Sequence, residues 1–171
     1  MSSVVNNKDT SLEKKFLYVE NHSTYQKHIK KLIDSWLGQK ISDSYLQAAF
    51  ILYSLNFDTV RPLLQSLYAD NCRGRTPIDP VIVFRALVLM ELLQYTSITK
   101  FAKDLKVDQN LAALTGSICE SQLSIGLFYL FMHRIETGGY SFKDIVNSTQ
   151  NGVVRSLKQE KLEKKIKKNK C

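Results

Sequence analysis

The strongest feature of the hydrophobic pattern is the stretch of residues 81–93, which is apolar nearly all round a helix. Asp79 can cap this helix, and Pro80 suits its first position, because an amide hydrogen at that position has no partner within the helix. A helix that is apolar on every side is typical of a position surrounded by other elements. We therefore predict a buried central helix, with Arg85 and Glu91 extending their charged groups to its rim.

The chain before this helix also shows helical spacing, and no strand-length alternation competes with it. The predicted helices run from Ser11 to about Asn21, from Ser23 to Gly38, from Ser42 or Asp43 to about Leu55, and from Asp58 to Tyr68. The second has a polar face that fits solvent better than DNA phosphates, and this face consists of Lys27, His28, Lys30 and Lys31. We expect this half of the chain to form a helical scaffold.

A loop is predicted at residues 71–80, because Gly74 and two prolines forbid a continuous helix there. Arg73 and Arg75 place two cations on this segment. Such an arm can reach a DNA phosphate or a minor groove. An ordinary connection with solvated arginines explains the pattern equally well.

Two short helices are predicted after the central one. Thr96 or Ser97 can cap the first, which spans residues 98–105, and Asp108 can cap the second, which Gly116 ends. Their close connection gives the outline of a helix-turn-helix pair, although many helical bundles show the same pattern. Three cations lie on the outer face of the first helix, namely Lys100, Lys103 and Lys106.

A last amphipathic helix is predicted from Ser124, its cap, through Arg134. Its free N-terminal amides and partial positive charge would suit a phosphate. The outward candidates for DNA contacts are Tyr129, His133 and Arg134. Tyr129 could hydrogen-bond sugar or phosphate, and Arg134 could pair with a phosphate or a guanine edge. Packing inside the bundle is the competing explanation for Tyr129 and His133.

The positive charge of the chain is concentrated at its end. The net charge is +8, and +6 of it lies in residues 155–171. A lysine cluster there would add salt-dependent, sequence-independent affinity for DNA, and it consists of Lys164, Lys165, Lys167 and Lys168. In the competing reading this segment is a solvated linker.

Other kinds of site have little support in the pattern. The three cysteines and three histidines are scattered, and no pair has the spacing of a disulfide framework or of metal ligands. Residues 81–93 are too short to span a bilayer, and the N-terminus lacks the apolar core of a signal peptide. We expect no metal, no cofactor, no membrane contact and a cytoplasmic location.

Three runs of sequence carry a resemblance to a known family. They are RGRTPIDPVIVFRAL at 73–87, DQNLAALTG at 108–116 and SIGLFYLFMHRI at 124–135. In order and spacing they resemble the N-terminal domain of bacterial insertion-sequence transposases of the DDE type. Family members commonly enter the last helix through a Pro-Ser-x-x-Thr-Phe-like sequence, whereas Leu123 and Leu127 stand at the proline and threonine positions here.

The resemblance implies that the chain binds double-stranded DNA at the terminal inverted repeats of an element, with a metal-dependent catalytic domain following a basic linker. DDE chemistry needs three carboxylates around two divalent ions. The acidic residues here have capping or helical roles available, and no strand framework follows Glu136. We therefore expect no enzymatic activity. Because Cys171 falls inside what resembles the linker, we expect a truncated fragment on the bacterial nucleoid, with a second copy or the full-length transposase as further candidate partners.

The predicted fold is all-α, a multi-helix bundle that contains a helix-turn-helix-like DNA-binding module and is followed by a basic C-terminal tail. Residues 1–70 are the expected scaffold, 71–137 the module and 138–171 the linker or tail, with 1–137 as one folded unit. The alternative function is a helical protein-interaction or oligomerisation domain with a solvated lysine-rich tail. A salt-dependent preference for one duplex sequence would separate the two functions.

Overall fold

The computed structural model describes residues 16–68, 75–116 and 123–150, and these residues are mainly helical. Their helices are α1 (His22–Trp36), α2 (Asp43–Ser54), α3 (Arg61–Ser66), α4 (Pro80–Leu92), α5 (Ile98–Val107), α6 (Gln109–Leu114), α7 (Ile125–Thr137) and α8 (Phe142–Gln150). A short 3-10 turn, Phe57–Thr59, precedes α3. The predicted all-α fold is confirmed.

Helix α4 forms the centre of the fold, as its all-round apolar sequence predicts. Every residue from Pro80 to Leu89 is buried, and α4 packs against α2, α3 and α7. The Asp79 carboxylate caps this helix by accepting a hydrogen bond from the Val81 amide at 3.2 Å. Glu91 follows the buried stretch and is exposed, as predicted. The chain is therefore organised around one helix that has no solvent-facing side over most of its length.

Arg85 does not follow the prediction for this helix, because its side chain is only 1% exposed instead of reaching the rim. Its guanidinium lies 3.5 Å from the centroid of the Tyr25 ring and donates a hydrogen bond to the Thr115 carbonyl at 2.9 Å. The Glu20 carboxylate is 3.8 Å away. A planar, weakly hydrated cation can be buried where an aromatic face and a carbonyl oxygen replace its water.

The caps predicted for the two short helices are confirmed. The Ser97 hydroxyl accepts from the Lys100 amide at 3.3 Å, which selects Ser97 over its neighbour as the cap of α5. The Asp108 carboxylate accepts from the Asn110 amide at 2.9 Å and from the Leu111 amide at 3.1 Å, and so caps α6. Each capping side chain satisfies an amide that has no partner within the helix, and this fixes where each helix begins.

Residues 16–20 are not helical, so the prediction of a helix ending near Asn21 is wrong for this segment. Leu17 instead pairs with the extended chain before α4. Its amide donates to the Pro77 carbonyl and its carbonyl accepts from the Asp79 amide, both at 2.9 Å. Proline favours extended chain before it, and the backbone groups there need partners outside a helix. Asn21 caps α1, two residues before the predicted cap.

Asp58 was the predicted cap of the helix that precedes residue 68, but α3 begins only at Arg61. The Asp58 carboxylate instead accepts from the His22 amide at 2.7 Å and from the Arg61 guanidinium at 3.1 Å. Arg61 also binds the Asp79 carboxylate and the Glu20 carbonyl. These contacts join the beginnings of α1, α3 and α4 through one arginine.

Helix α8 was not predicted from the sequence, where its residues fall in the expected linker or tail. Ile145 is fully buried, and the Phe142 ring lies 5.1 Å from the ring of Phe84 on α4. The apolar positions of this short helix therefore extend the core. The apolar spacing of residues 153–170 predicts a further short helix, with Val154, Leu157, Leu162 and Ile166 roughly in register, but this segment lies outside the described residues.

Candidate nucleic-acid interface

Helix α7 is anchored along one side and exposed along the other. Its amphipathic sequence predicts one buried side, and Phe128, Phe131 and Ile135 are fully buried. The opposite side presents an exposed face that we call the α7 face, formed by Gly126, Tyr129, Leu130 and His133. Tyr129 is 56% exposed and Leu130 is 46% exposed. Burial in the bundle therefore does not explain Tyr129 or His133, the two residues for which the sequence left that question open.

A groove of about 480 Å³ lies beside α7, between this helix and the extended segment of residues 75–78. It brings together three of the predicted site residues, Arg75, Ser124 and Arg134. The Arg134 guanidinium lies 4.1 Å from the centroid of the Tyr68 ring, which also lines the groove. Stacking on an aromatic ring fixes the plane of a guanidinium while leaving its N–H groups available to an anion.

The extended side of this groove is held in place by the Leu17 pairing and by the contacts of Asp79. The two Leu17 hydrogen bonds join this residue to positions 77 and 79. Asp79 is itself buried, and it binds Arg61 while capping α4. The backbone next to Arg75 is thus fixed to the core, although the Arg75 side chain is exposed.

Helix α6 has a different environment, because side chains of other elements hold its C-terminal carbonyl groups. Tyr25 Oη donates to the Leu114 carbonyl at 2.7 Å, and His28 Nε2 lies 2.7 Å from the Ala113 carbonyl. Arg85 donates to the next carbonyl, that of residue 115. The last carbonyls of a helix lack partners within it and carry partial negative charge, so a buried cation is well placed there.

The N-terminal part of α6 is held in the same way. Trp36 Nε1 donates to Asn110 Oδ1 at 2.9 Å, and Tyr45 Oη donates to Asp108 Oδ2 at 2.7 Å. We call the five side chains that hold this helix the α6 clamp, which consists of Tyr25, His28, Trp36, Tyr45 and Arg85. The clamp fixes α6 against the scaffold, whereas no such set of side chains from the described residues covers the α7 face.

Burial changes the acid–base properties of the clamp. Desolvation raises the pKa of Tyr25, because a buried phenolate would lose its water. Burial lowers the pKa of Arg85, although Tyr25 and Glu20 act in the opposite direction. Desolvation and the Asp108 hydrogen bond raise the pKa of Tyr45.

The three lysines predicted on α5 are all exposed, but they do not contribute to the groove beside α7. Lys100, Lys103 and Lys106 lie on α5, which packs against both α6 and α7. The Lys100 ammonium is 6.0 Å from the Tyr95 ring. Tyr95 donates a hydrogen bond to the Asp104 carboxylate at 2.8 Å, and its own pKa is raised to about 12 by burial and by this bond. The α5 cations therefore form a separate surface.

Several other predicted site residues lie outside the described residues, namely Arg73, Lys164, Lys165, Lys167 and Lys168. Within the described residues, no group of three or more His, Cys, Asp or Glu side chains is arranged to hold a metal ion. Over the same ranges, no helix combines the length and apolarity needed to cross a bilayer.

Three residues of this surface were not selected from the sequence as site candidates: Tyr68, Gly126 and Leu130. Gly126 and Leu130 are one helical turn apart and one turn from other exposed positions, so helical phase alone could have placed them on the α7 face. Tyr68 belongs to a distant part of the chain, because α4, α5 and α6 lie between it and Arg134. Only the fold could place it here.

The fold and this surface define a small all-α domain that is built round one buried helix and leaves one side of α7 open. A family model described as a transposase domain (DUF772) matches residues 19–134, more than half of the chain. The chain therefore belongs to this transposase domain family, which agrees with the resemblance found in its sequence and supports a role in transposition. Comparison with curated proteins and comparison with solved structures each found no significant match.

Proposed function

We propose that this chain recognises double-stranded DNA at the ends of a transposable element. The observation that carries the proposal is the open α7 face beside a groove with Arg75 and Arg134 on its two sides. A major groove admits an α-helix, and arginines next to such a helix can bind the phosphates on the groove edge. In this arrangement α7 enters the major groove and the segment of residues 75–78 lies along the backbone.

Helices α5, α6 and α7 act in this proposal as a helix-turn-helix-like unit with α7 as the recognition helix. Helix α5 packs against both of the others, which supports the unit. The α6 clamp supports the choice of α7, because α6 directs many of its polar groups toward the scaffold. The exposed lysines of α5 would then contact more distant phosphates.

Recognition is the whole of the activity that we propose for this chain, with strand cleavage and joining left to a separate catalytic domain. The acidic side chains Asp58, Asp79 and Asp108 support this, because each is engaged in capping or in an ion pair. We propose that the basic residues 155–171 add sequence-independent affinity. The site of action would be the bacterial nucleoid.

The test is selection of duplexes from a random DNA pool by the full chain at moderate salt, followed by affinity measurements at several salt concentrations. Enrichment of one sequence is the expected result. Arg75→Ala should weaken binding to every duplex and reduce the slope of log affinity against log salt by roughly 0.9. Lys31→Ala is the matched control, because it removes one exposed cation from α1. Equal effects of the two variants, or no enriched sequence, would contradict the proposal.

A second candidate function, self-association, is favoured by one observation on α2. Three large side chains of α2 are exposed to solvent: Phe50 is 61% exposed, Ile51 40% and Tyr53 39%. No charged residue occurs between positions 44 and 56. In a chain of net charge +8, the uncharged residues 44–56 form a surface on which a second copy would meet little charge repulsion. Sedimentation equilibrium should show a dimer that Phe50→Glu abolishes, and a monomeric wild type would exclude it.

A further inference from the structure

The α7 face has a composition that restricts which DNA bases it can read. Its residues are Gly126, Tyr129, Leu130 and His133, so its polar groups are the Tyr129 hydroxyl and the His133 imidazole, and it has no side-chain amide, carboxylate, lysine or arginine. In the major groove, guanine is read mainly by arginine or lysine, adenine by asparagine or glutamine, and cytosine by carboxylates. Thymine differs from these bases because it presents a methyl group, which apolar side chains contact.

The two charged residues that flank the α7 face are directed to its sides. Arg134 lies on the Leu130 side, where it stacks on Tyr68 and lines the groove that contains Arg75. Glu136 lies on the opposite side and lines another depression, together with Glu91 and other residues of α7 and α8. The positive flank therefore suits a phosphate, and it leaves the α7 face itself, with Leu130 on the side of Arg134, to meet the base edges.

Gly126 adds a steric reason for close approach. A Cβ atom at this position would have no protein atom within 4 Å, so the first turn of α7 presents bare backbone to open space. Leu130 projects one turn further along the same face. A base edge can therefore come near the helix backbone at Gly126 and meet the Leu130 side chain next to it.

We propose that α7 recognises thymine methyl groups, with Leu130 as the main contact and Tyr129 beside it, while Arg134 and Arg75 hold the flanking phosphates. The proposal rests on the proposed function and names the chemistry by which the same surface would select its sequence. It leads to an A·T-containing site that is read through methyl contacts.

The experiment uses the full chain and the duplex enriched from the random pool. Each thymine is replaced in turn by deoxyuridine, which keeps base pairing and lacks only the 5-methyl group. Affinity should fall roughly fourfold at a contacted thymine, the factor expected for loss of one buried methyl-sized group. Leu130→Ala should weaken binding to the thymine duplex and abolish the difference between thymine and deoxyuridine at that position.

Two further variants control for fold and shape. Leu130→Met keeps the apolar volume and should retain the sensitivity to deoxyuridine. Leu37→Ala shortens a side chain that is 76% exposed on another part of the molecule, and it should change neither affinity nor sensitivity. Melting curves of all variants should be close to that of the wild type, because surface substitutions rarely change stability by much.

The outcomes separate this inference from the proposed function. Selective binding with equal affinity for thymine and deoxyuridine at every position would overturn methyl recognition and leave the proposed function in place. Sensitivity that persists in Leu130→Ala would also overturn it, because the methyl contact would then lie elsewhere. Failure to select any duplex would contradict the proposed function itself, and the inference would fail with it.

Discussion

Helix α6 is held along its length by side chains from α1, α2 and α4, whereas α7 is anchored along one side and exposes the other. The two helices are close in sequence and both begin at a side-chain cap. Their difference comes from partners that lie elsewhere in the chain. In α6 the polar groups are used inside the protein, and in α7 the side chains of one side face solvent. Substitutions in the two helices should therefore have opposite consequences for stability and binding.

The largest expected effect is at Arg85, the central member of the α6 clamp. Arg85→Met keeps much of the apolar length but removes the hydrogen bond to the carbonyl of residue 115 and the partner of Glu20. Removing one member of a buried charged network costs about 3–5 kcal/mol. Chemical denaturation should show a loss of this size in the free energy of unfolding. Arg134→Met, which alters an arginine in the last turn of α7, is the control, and equal losses would contradict the clamp.

The second prediction compares two glycines, Gly116 just after the end of α6 and Gly126 in the first turn of α7. Gly116 has φ +73°, and a Cβ there would lie 2.7 Å from Arg85 Nη1. Gly116→Ala should destabilise the domain by about 2 kcal/mol, because left-handed backbone and this contact both oppose a side chain. Gly126→Ala should leave stability equal or higher by up to about 1 kcal/mol, because it replaces glycine within a helix and meets open space.

Gly126→Ala, which should not reduce stability, should nevertheless reduce DNA binding. Gly126→Ala places a methyl group where the base edge would approach, so it should weaken sequence-selective binding although the domain is no less stable. Thermal melting and binding to the selected duplex measure the two effects on the same protein preparations. If Gly126→Ala bound as tightly as the wild type, close approach at the first turn of α7 would be excluded.

The smallest effect is expected for Tyr25→Phe, which removes only the hydroxyl that donates to the Leu114 carbonyl. Loss of a buried hydrogen bond of this kind costs about 1 kcal/mol near neutral pH. The folded-state pKa of Tyr25 is raised by burial, so its contribution is fully present below the unfolded pKa of about 10 and is lost as pH rises further. Unfolding measured from pH 8 to 11 should show a steep loss of stability above pH 10 in the wild type.

The Tyr25→Phe variant should lose stability less steeply over the same interval, because it lacks this ionisation. Tyr53→Phe is the control, since Tyr53 is 39% exposed and no hydrogen bond of its hydroxyl holds α6. Identical pH profiles for the wild type and Tyr25→Phe would show that the phenol is not a buried donor.

The sequence was sufficient for features that depend on near neighbours in the chain. The side chains of Asp79, Asp108 and Ser124 each cap a helix by accepting from an amide two or three residues further along the chain. The all-round apolar pattern of α4 requires burial wherever the helix is placed. The periodicity of α7 made Tyr129 and His133 outward candidates but left packing inside the bundle open for both, and the fold decides the question because both are exposed.

The α6 clamp could not be predicted in this way. Its hydrogen bonds join residues that are far apart, such as Tyr25 to Leu114, which are 89 positions apart. His28 lies among lysines on the polar face of α1, and its pattern is the same as that of a solvated residue. The burial of Arg85 likewise depends on Tyr25 and on the turn at Gly116. Polar periodicity shows that a side chain lies on the side of its helix away from the apolar side. It does not show which residues of other elements that side chain contacts.

The pairing of Leu17 with the segment before α4 has a consequence for how the domain should be produced. The match to the transposase domain family begins at residue 19, two positions after Leu17. An expression fragment that begins at residue 19 would keep every helix from α1 to α8 and lose the two hydrogen bonds that Leu17 makes with residues 77 and 79. Such a fragment can be folded and yet present Arg75 on an untethered backbone. A fragment made to test the proposed function should therefore begin at or before Phe16.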